Sequence, residues 1–406
     1  MNILVQKFGG TSVATSEKRQ MVVKKISNAL QEGYYVVAIV SAMGRKGEAY
    51  ATDTLKGLVN NDKSTGISKK DLDLLMSCGE IISSVVMVSE LKSHGINATC
   101  YTGGQAGIIT DEGFNDARII QVKPAEIIKE LENNNVVVVA GFQGVTKDGR
   151  ITTLGRGGSD TTAAALAVAL RAVRIDIYTD VDGVKTADPK IVNNAKTLSK
   201  VTYNEICQMA HEGARVIHPR AVEIAMQGNI PIRILSTFSD AEGTWITNGF
   251  SNGNLITDIK NDKIVTGITY KSHVSQLNVT NINKDPQISL TVFQTLAKMH
   301  ISVDFINVCE DKIIFTVNDT ERDHAVAAIS KLDLDIAVEK ECAKVAVVGA
   351  GMTGIPGVMA KVVEALTESQ IKILQSADSY TSIWCLVHQK NMEQAVRALH
   401  KKFELG

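Results

Sequence analysis

The sequence predicts an α/β protein in which helices sandwich a mainly parallel sheet, followed by two small α+β units. Two observations lead to this prediction. Over residues 1–238, segments with strand-like and helix-like hydrophobic spacing alternate, which is typical of βαβ units and therefore of parallel strands. Over residues 264–406, the chain repeats itself at an offset of 70 residues, which places Ile371 on Ile301 and Pro356 on Pro286.

The elements of the first region follow from their apolar spacing. Strands are expected at residues 2–6, 35–40, 136–140 and 175–179, and helices at residues 17–31, 72–91 and 161–170. The strands at residues 35–40 and 136–140 are almost wholly apolar, as strands covered on both faces are. Because ligands collect at the carboxyl ends of parallel strands, the loops that follow these strands are the expected site.

Residues 239–263 are rich in Ser, Asn, Gly and Asp and are predicted to form a linker. The repeat then divides the rest into units at residues 264–339 and 340–406, each with the order strand, helix, strand, strand, helix. The second unit lacks a fourth strand of its own, whereas the first has one at residues 335–339. We therefore predict that residues 264–270 complete the sheet of the second unit, so that the first unit is inserted within the second.

Composition excludes several classes of function. The chain has 43 Lys and Arg against 44 Asp and Glu, and this balance predicts neither a nucleic-acid partner nor an anionic membrane partner. Hydrophobic residues make up 44% of the chain, so a largely disordered protein is excluded. The six cysteines show no zinc spacing, and no metal site made from protein ligands alone is expected. Free thiols, the absence of a signal-like N-terminus and the absence of an apolar run near 20 residues predict a cytoplasmic protein.

Two glycine turns carry the candidate chemistry. The first, Lys7-Phe8-Gly9-Gly10, follows a strand, and its backbone N–H groups and lysine suit phosphate. The second, residues 155–160 (GRGGSD), opens an Ala-rich helix that Ser159 or Asp160 can cap. Its Arg156 offers a planar fork that matches a carboxylate. The alternatives are a tight turn with a solvated lysine for the first and a packing turn for the second.

Three further segments are weaker candidates. Thr179 and Asp180 end a strand and suit the positioning of a magnesium nucleotide or of nearby lysines, although an Asp-Gly turn explains the same pattern. The SAMG segment at residues 41–44 ends another strand, at the same expected edge. Glu80 lies within a predicted helix and, taken alone, is more simply a surface carboxylate.

These motifs, in this order, resemble those of aspartate kinases of the amino-acid-kinase family. The resembling segments are KFGGTSV at residues 7–13, SAMG at 41–44, GFQG at 141–144, TLGRGGSDTT at 153–162 and YTDVDGV…TADP at 178–189. The C-terminal units resemble the paired ACT domains of those enzymes. The resemblance implies the amino-acid-kinase fold and the conversion of ATP and L-aspartate to ADP and 4-phospho-L-aspartate, the first step of the pathway to lysine and diaminopimelate, threonine and methionine.

The resemblance also implies roles for individual residues. Lys7, Arg156 and Asp180 would be catalytic. The ATP site, with magnesium carried by the nucleotide, would comprise Lys7, Phe8, Gly9, Gly10, Ser41, Thr179, Asp180, Lys185, Lys190, Arg215 and Val216. Glu80 would meet the amino group of aspartate, and its carboxylates would meet Arg156, Gly157, Gly158 and Ser159. A feedback amino acid (diaminopimelate, lysine or threonine) would bind near Asp304, Phe305, Ile306, Pro356, Ser376 and Asp378, and ACT pairing would give a homodimer or larger assembly.

The sequence departs from the family pattern at three places. Lys185 replaces a tyrosine, Gly47 replaces a threonine that contacts substrate, and Val308-Cys309 replaces a Gln-Asn pair that commonly binds effector. Three alternatives stand beside an aspartate kinase: a related glutamate 5-kinase, a non-catalytic amino-acid sensor, and an NAD enzyme suggested by the GAGMTG fingerprint at residues 349–354. The fingerprint is a weak signal, because too few residues follow it to complete a dinucleotide fold.

Overall fold

A computed structural model describes residues 1–59, 66–214, 216–248, 264–280, 287–332, 334–350, 352 and 355–406. The chain forms two compact units. The first comprises residues 1–184 and 197–210 with the described residues between 216 and 248. The second comprises residues 185–196 and 211–214 with the described residues from 264 onward.

The first unit is built from short strands, most of them parallel in the main sheet, with helices between them. Its strands are β1 (Ile3–Phe8), β2 (Tyr35–Val40), β3 (Ala98–Tyr101), β4 (Ile108–Thr110), β5 (Ile119–Val122), β6 (Val136–Ala140), β7 (Gln143–Val145), β8 (Ile151–Thr153), β9 (Arg174–Thr179), β10 (Lys200–Thr202), β11 (Ile232–Ser236) and β12 (Thr244–Thr247). Its helices are α1 (Gly10–Val13), α2 (Ser16–Gln31), α3 (Thr52–Gly57), α4 (Lys69–Ser93), α5 (Ala125–Glu132), α6 (Gly158–Ala169), α7 (Tyr203–His211) and α8 (Pro219–Gln227).

The main sheet of the first unit runs in the order β10-β12-β11-β9-β1-β2-β6-β3 within the described residues. From β11 to β3 all neighbouring strands are parallel. The prediction of a mainly parallel sheet is therefore confirmed, and the strands and helices expected in this region are present with ends shifted by a few residues. A smaller sheet, in the order β5-β4-β7-β8, lies in the same unit.

The predicted linker at residues 239–263 is wrong in its first part. Residues 244–247 form β12, which pairs antiparallel with β11 and parallel with β10. Thr244 is fully buried, and its hydroxyl accepts from the Val184 N–H and donates to the Leu198 carbonyl oxygen. This strand is short and has polar residues on both sides, so its hydrophobic pattern does not stand out from the predicted linker. The rest of the predicted linker, from residue 249, lies outside the described residues.

The predicted boundaries of the first domain also need correction, because residues 185–196 and 211–214 belong to the second unit. Ala187, Ile191 and Val192 are buried in its hydrophobic core. Thr186 is tied to the same unit by a 2.9 Å hydrogen bond between its hydroxyl and His400 Nε2. Burial of these apolar residues therefore places residues 185–196 in the second unit, although their neighbours in sequence belong to the first.

The second unit is a sheet covered by helices. Its elements are β13 (Gly267–Thr280), α9 (Gln287–Lys298), β14 (Asp304–Val308), β15 (Lys312–Asn318), α10 (Asp319–Ile329), β16 (Ile336–Val348), α11 (Val358–Glu368), β17 (Gln375–Asp378), β18 (Ser382–His388) and α12 (Met392–Lys402). The described strands follow the order β14-β15-β13-β16-β18-β17.

The two repeats share their long central strands. Residues 267–271 of β13 pair with residues 344–348 of β16, and residues 274–280 of β13 pair with β15. The leading strand thus pairs within the sheet of the second repeat, as predicted. The boundary predicted between residues 339 and 340 is wrong, because it falls inside the continuous strand β16. A bulge replaces the break: the register shifts after Lys271, and His273 and Glu341 adopt positive φ angles of 60° and 53°.

Among the described residues, helix α4 is long and apolar enough to cross a membrane by length and composition alone. This finding contradicts the expectation that no apolar run approaches that length. However, α4 carries the buried carboxylates of Asp73 and Glu80, which accept hydrogen bonds from Thr153 and Ala42 of the first unit. The core helix of a soluble protein passes the same test.

Candidate active site

The candidate site lies at one edge of the main sheet. Neighbouring strands β9, β1, β2 and β6 are parallel, so their carboxyl ends meet at this edge. The loops that follow these strands contain most of the residues singled out in the sequence. The Ser41 N–H donates to the Phe8 carbonyl oxygen at 3.1 Å, and the Gly141 N–H donates to Val40 at 3.0 Å, which joins three of these loops.

The Lys7 turn is packed tightly against the SAMG loop. The Gly9 N–H donates to the Tyr178 carbonyl oxygen at 3.3 Å, and the Phe8 ring stacks on Tyr178 with centroids 4.9 Å apart. A Cβ at Gly10 would lie 2.5 Å from the Ala42 carbonyl oxygen, so the approach requires glycine. Helix α1 begins at this turn and is only one turn long.

The Arg156 turn uses left-handed glycines to enter helix α6. Gly155 and Gly157 have φ angles of 71° and 67°, and a Cβ at Gly157 would lie 2.2 Å from the His218 Cβ. The capping interpretation is wrong: Gly157 is the N-cap residue, and no side chain caps the helix. Asp160 instead forms an ion pair with the Lys7 Nζ at 2.7 Å.

The Lys7–Asp160 ion pair joins the two glycine turns. Both side chains are largely buried, with 13% and 11% exposure. The two turns therefore lie side by side at the same edge, although Lys7 and Arg156 are 149 positions apart in the chain. The positive charge of Lys7 is already balanced by Asp160, which fixes the direction of the lysine side chain.

The rest of the second turn combines an exposed cation with buried small residues. Arg156 is exposed, whereas Gly158 and Ser159 are buried. Ser159 sits over the GFQG loop, because a Cβ at Gly141 would lie 2.8 Å from its Oγ. A planar guanidinium beside small residues leaves room for a carboxylate ligand.

Glu80 is buried rather than on the surface. Its side chain is 2% exposed, and its Oε1 accepts from the Ala42 N–H at 3.1 Å. Within the described residues, its Oε2 has no hydrogen-bond partner. Burial raises the pKa of Glu80 to about 8, and the Ala42 N–H only partly offsets this effect. A buried acceptor without a partner is suited to a cationic ligand.

Thr179 and Asp180 end β9 next to the Lys7 turn. Thr179 is half-buried and Asp180 exposed, and the Thr179 hydroxyl donates to Asp180 Oδ1 at 3.2 Å. Arg45, from the loop after β2, donates to Asp180 Oδ2 at 2.7 Å. The sequence analysis did not single out Arg45, since nothing local indicates that it reaches a strand two positions away.

A second buried carboxylate, Asp73, supports the site by linking helix α4 to the segments before the Arg156 turn. Asp73 of α4 accepts from the Thr153 N–H and hydroxyl, and from the Asn115 N–H and side-chain amide, at 2.6–3.1 Å. It thereby fixes α4 to the strand that leads into the Arg156 turn. Sequence reasoning missed this residue, although a charged residue on the apolar face of a helix is a recognisable signal.

Four residues predicted for the nucleotide site lie outside the loops described above or outside the described residues. Val216 is half-buried in the first unit, and Arg215 lies outside the described residues. Lys185 and Lys190 belong to the second unit, where the Lys190 N–H donates to Asp188 Oδ1 at 2.9 Å.

The residues predicted to bind an effector lie in the second unit, most of them on its outer strands β14 and β17. Pro356 precedes α11, and Ser376, Asp378 and Ile306 are exposed. Asp304 and Phe305 instead turn toward Lys344, a buried residue of β16.

Lys344 is the centre of a charged cluster in that unit. Its Nζ lies 3.0 Å from Glu212 Oε1, 3.1 Å from Asp304 Oδ2 and 4.6 Å from the centroid of the Trp384 ring. Burial raises the pKa of Glu212 despite the lysine. Burial acts in the same direction on Asp304, but there Lys344 outweighs it and the pKa is lowered. The difference follows burial, because Asp304 is half exposed and Glu212 is not.

Comparison with known proteins agrees with this architecture. The model of the amino acid kinase family matches residues 2–236, and an ACT domain model matches residues 337–401. Aspartokinase 1 of Bacillus subtilis (strain 168) is 50% identical over 406 residues, which cover all of both chains. The E. coli aspartokinase III structure in complex with aspartate and ADP (R-state) is 26% identical with a TM-score of 0.81, and the match covers 98% of this chain and 99% of that one.

A second E. coli aspartokinase III structure, in complex with lysine and aspartate (T-state), has a TM-score of 0.75 at 26% identity and covers 99% of this chain and all of that one. The chain therefore belongs to the amino acid kinase family, and within it to the aspartokinases. It is an enzyme of the kinase class, with C-terminal ACT architecture, and the resemblance first seen in its glycine turns is confirmed.

Proposed function

We propose that this chain transfers the γ-phosphoryl group of ATP to the side-chain carboxylate of L-aspartate and forms 4-phospho-L-aspartate. One observation carries the proposal: the Lys7–Asp160 ion pair holds a phosphate-type turn and a carboxylate-type turn side by side. The similarity to aspartokinase III in complex with aspartate and ADP supports the same substrates.

The chemistry needs no general base. The side-chain carboxylate of aspartate, with a pKa of about 3.9, is ionised at neutral pH. One of its oxygens attacks the γ-phosphorus in line, a new P–O bond forms, and the bond to the β-phosphate oxygen breaks as ADP leaves. The obstacle is the approach of two anions, so positive charge and positioning supply the catalysis.

On the nucleotide side, the proposal assigns the phosphates to the first glycine turn and its neighbours. Tight packing of Gly10 against the SAMG loop leaves no space for a side chain, which fits a close backbone approach to phosphate. Magnesium would arrive with the nucleotide and reduce its charge. The residues assigned to this side are Lys7, Phe8, Gly9, Gly10, Ser41, Thr179, Asp180, Lys185, Lys190, Arg215 and Val216.

On the acceptor side, the proposal assigns the carboxylates of aspartate to Arg156 with Gly157, Gly158 and Ser159, and its ammonium group to Glu80. The exposed guanidinium of Arg156 and the unpartnered Oε2 of buried Glu80 supply the two opposite charges that an amino acid requires.

The finer assignments remain part of the proposal. The reaction would open the pathway to lysine and diaminopimelate, threonine and methionine, in the cytoplasm, where the six free thiols would stay reduced. A feedback amino acid would bind near Asp304, Phe305, Ile306, Pro356, Ser376 and Asp378. ACT pairing would give a homodimer or larger assembly, and the lysine complex of aspartokinase III supports regulation by an amino acid.

Steady-state kinetics test the proposal. ADP release is measured with aspartate, glutamate or no acceptor, with and without lysine, threonine and diaminopimelate. We expect turnover with aspartate alone among the acceptors. Lys7→Ala should lower kcat far more than it raises the KM for aspartate, and Arg156→Ala should mainly raise that KM. Arg118→Ala, at an exposed arginine of the same unit, serves as the control. Turnover without an acceptor, or the reverse pattern of effects, contradicts the assignment.

A further inference from the structure

The loop after β2 holds its first residues firmly against the Lys7 turn. The Gly44 N–H donates to the Gly10 carbonyl oxygen at 3.0 Å, and the Glu48 N–H donates to the Arg45 carbonyl oxygen at 2.9 Å. The Glu48 carboxylate also accepts from the Arg45 N–H. The backbone of Arg45 is therefore fixed on both sides, one residue after the contact with Gly10.

The Arg45 side chain crosses the carboxyl end of β1. Arg45 follows β2, and its Nη2 donates to Asp180 Oδ2, which follows β9, at 2.7 Å. The sheet order is β9-β1-β2, so these loops belong to strands on opposite sides of β1, about 10 Å apart at the usual strand spacing. The guanidinium and its partner thus span the edge at which the Gly9–Gly10 turn lies.

This ion pair contributes little to folding. The Arg45 and Asp180 side chains are 69% and 44% exposed, and exposed pairs of this kind add almost nothing to stability. The Lys7 ammonium, in contrast, is held in a largely buried pair with Asp160. Arg45 therefore brings a second cation to the phosphate turn, and the exposed contact with Asp180 can be exchanged at low cost.

We propose that Arg45 is a further nucleotide-binding residue, whose guanidinium exchanges Asp180 for a terminal phosphate of the bound nucleotide. This inference rests on the proposed function, because it assumes that the Gly9–Gly10 turn holds phosphate. The planar fork of arginine matches phosphate oxygens as well as it matches a carboxylate, so a terminal phosphate can take the place of Asp180. Arg45 would add positive charge opposite the turn, where the incoming carboxylate meets the phosphoryl group.

The test compares Arg45→Gln and Arg45→Lys with Lys46→Gln, a matched change at the neighbouring exposed basic residue. Binding of MgADP and of a non-hydrolysable Mg-ATP analogue to the full chain is measured by titration calorimetry. Steady-state KM and kcat are measured for both substrates. Calorimetry needs no turnover, so the proposal can be judged even if the acceptor is not aspartate.

We expect Arg45→Gln to weaken binding of the triphosphate analogue about tenfold or more, and to weaken MgADP binding less. The KM for aspartate should change less than about twofold, Arg45→Lys should recover part of the loss because it keeps a point charge, and Lys46→Gln should resemble wild type. Unchanged or tighter nucleotide binding by Arg45→Gln overturns the proposal. An equal loss in Lys46→Gln also overturns it, because any basic residue of the loop would then have the same effect.

Discussion

Glu80 gives the account its sharpest quantitative prediction. Its carboxyl is 2% exposed and accepts a hydrogen bond from the Ala42 N–H, and burial raises its pKa to about 8. At pH 7 Glu80 is therefore mostly protonated before aspartate binds. If Glu80 receives the ammonium group of the substrate, binding must ionise it, since an adjacent cation favours the charged form.

Aspartate binding should therefore release close to one proton per site at pH 7, and fewer as the pH rises through about 8. Titration calorimetry with aspartate and MgADP, in two buffers with different ionisation enthalpies, measures this number directly. Glu80→Gln has the same shape and cannot titrate, so its binding heat should not depend on the buffer and its affinity for aspartate should fall. Buffer-independent heats for wild type, or the same proton release from Glu80→Gln, refute the assignment.

The same pKa makes a prediction about stability. The unfolded chain releases the Glu80 proton near pH 4.5, whereas the folded chain keeps it until about pH 8. The folded state binds more protons between these values, so its stability relative to Glu80→Gln should fall as pH rises, by about 1.4 kcal/mol per pH unit. Urea unfolding of both proteins at pH 5.5, 6.5 and 7.5 checks the slope, and parallel curves contradict it.

Three further substitutions probe packing and charge. Lys344→Met removes the ammonium group from beside buried Glu212 and should destabilise the second unit by about 3–5 kcal/mol in urea unfolding. Adding Glu212→Gln should recover part of this loss. Full stability of Lys344→Met alone contradicts the role of the ion pair. Asp73→Ala leaves buried donors without an acceptor and should cost about 2 kcal/mol or more by the same assay, and a change near zero would show that water replaces the carboxylate. Gly10→Ala should abolish calorimetric nucleotide binding, whereas Gly57→Ala, where a Cβ meets nothing within 4 Å, should not; equal behaviour of the two contradicts the tight approach.

Much of the first unit could be predicted because its signals are local. Strands β2 and β6 are continuous apolar runs, β1 and β9 are largely apolar, and each lies within a few residues of its expected position. Parallel pairing then places their following loops at one edge whatever the details of packing. The glycine turns were recognisable for the same reason.

The pairing of charges could not be predicted, because it depends on distances through space. Asp160 and Lys7 meet only because α6 packs beside β1, and Asp180 and Arg45 meet only because β9 and β2 flank β1. The residues adjacent in sequence to these four side chains do not indicate which charges will meet. Asp160 therefore had an equally good local interpretation as a helix cap, which the structure overturns.

Sequence reasoning also failed where one strand has two partners. The leading strand is expected to end at residue 270 and the first unit at residue 339, yet β13 and β16 both continue past these points, with a bulge in their pairing. The repeat does indicate that β13 has two partners, because residues 267–271 pair with the second repeat and residues 274–280 pair with β15 of the first. The repeat does not indicate that these two segments form one continuous strand.

The proposed product is an acyl phosphate on the side chain of aspartate, and it can be trapped chemically. Acyl phosphates react with hydroxylamine, so the purified chain is incubated with ATP, magnesium, aspartate and hydroxylamine, and the trapped hydroxamate is identified by mass spectrometry and NMR. We expect the hydroxamate of the side-chain carboxylate, formed in step with ADP and strongly reduced in Arg156→Ala at low aspartate. A hydroxamate of the α-carboxylate, or ADP formation without any hydroxamate, would contradict it.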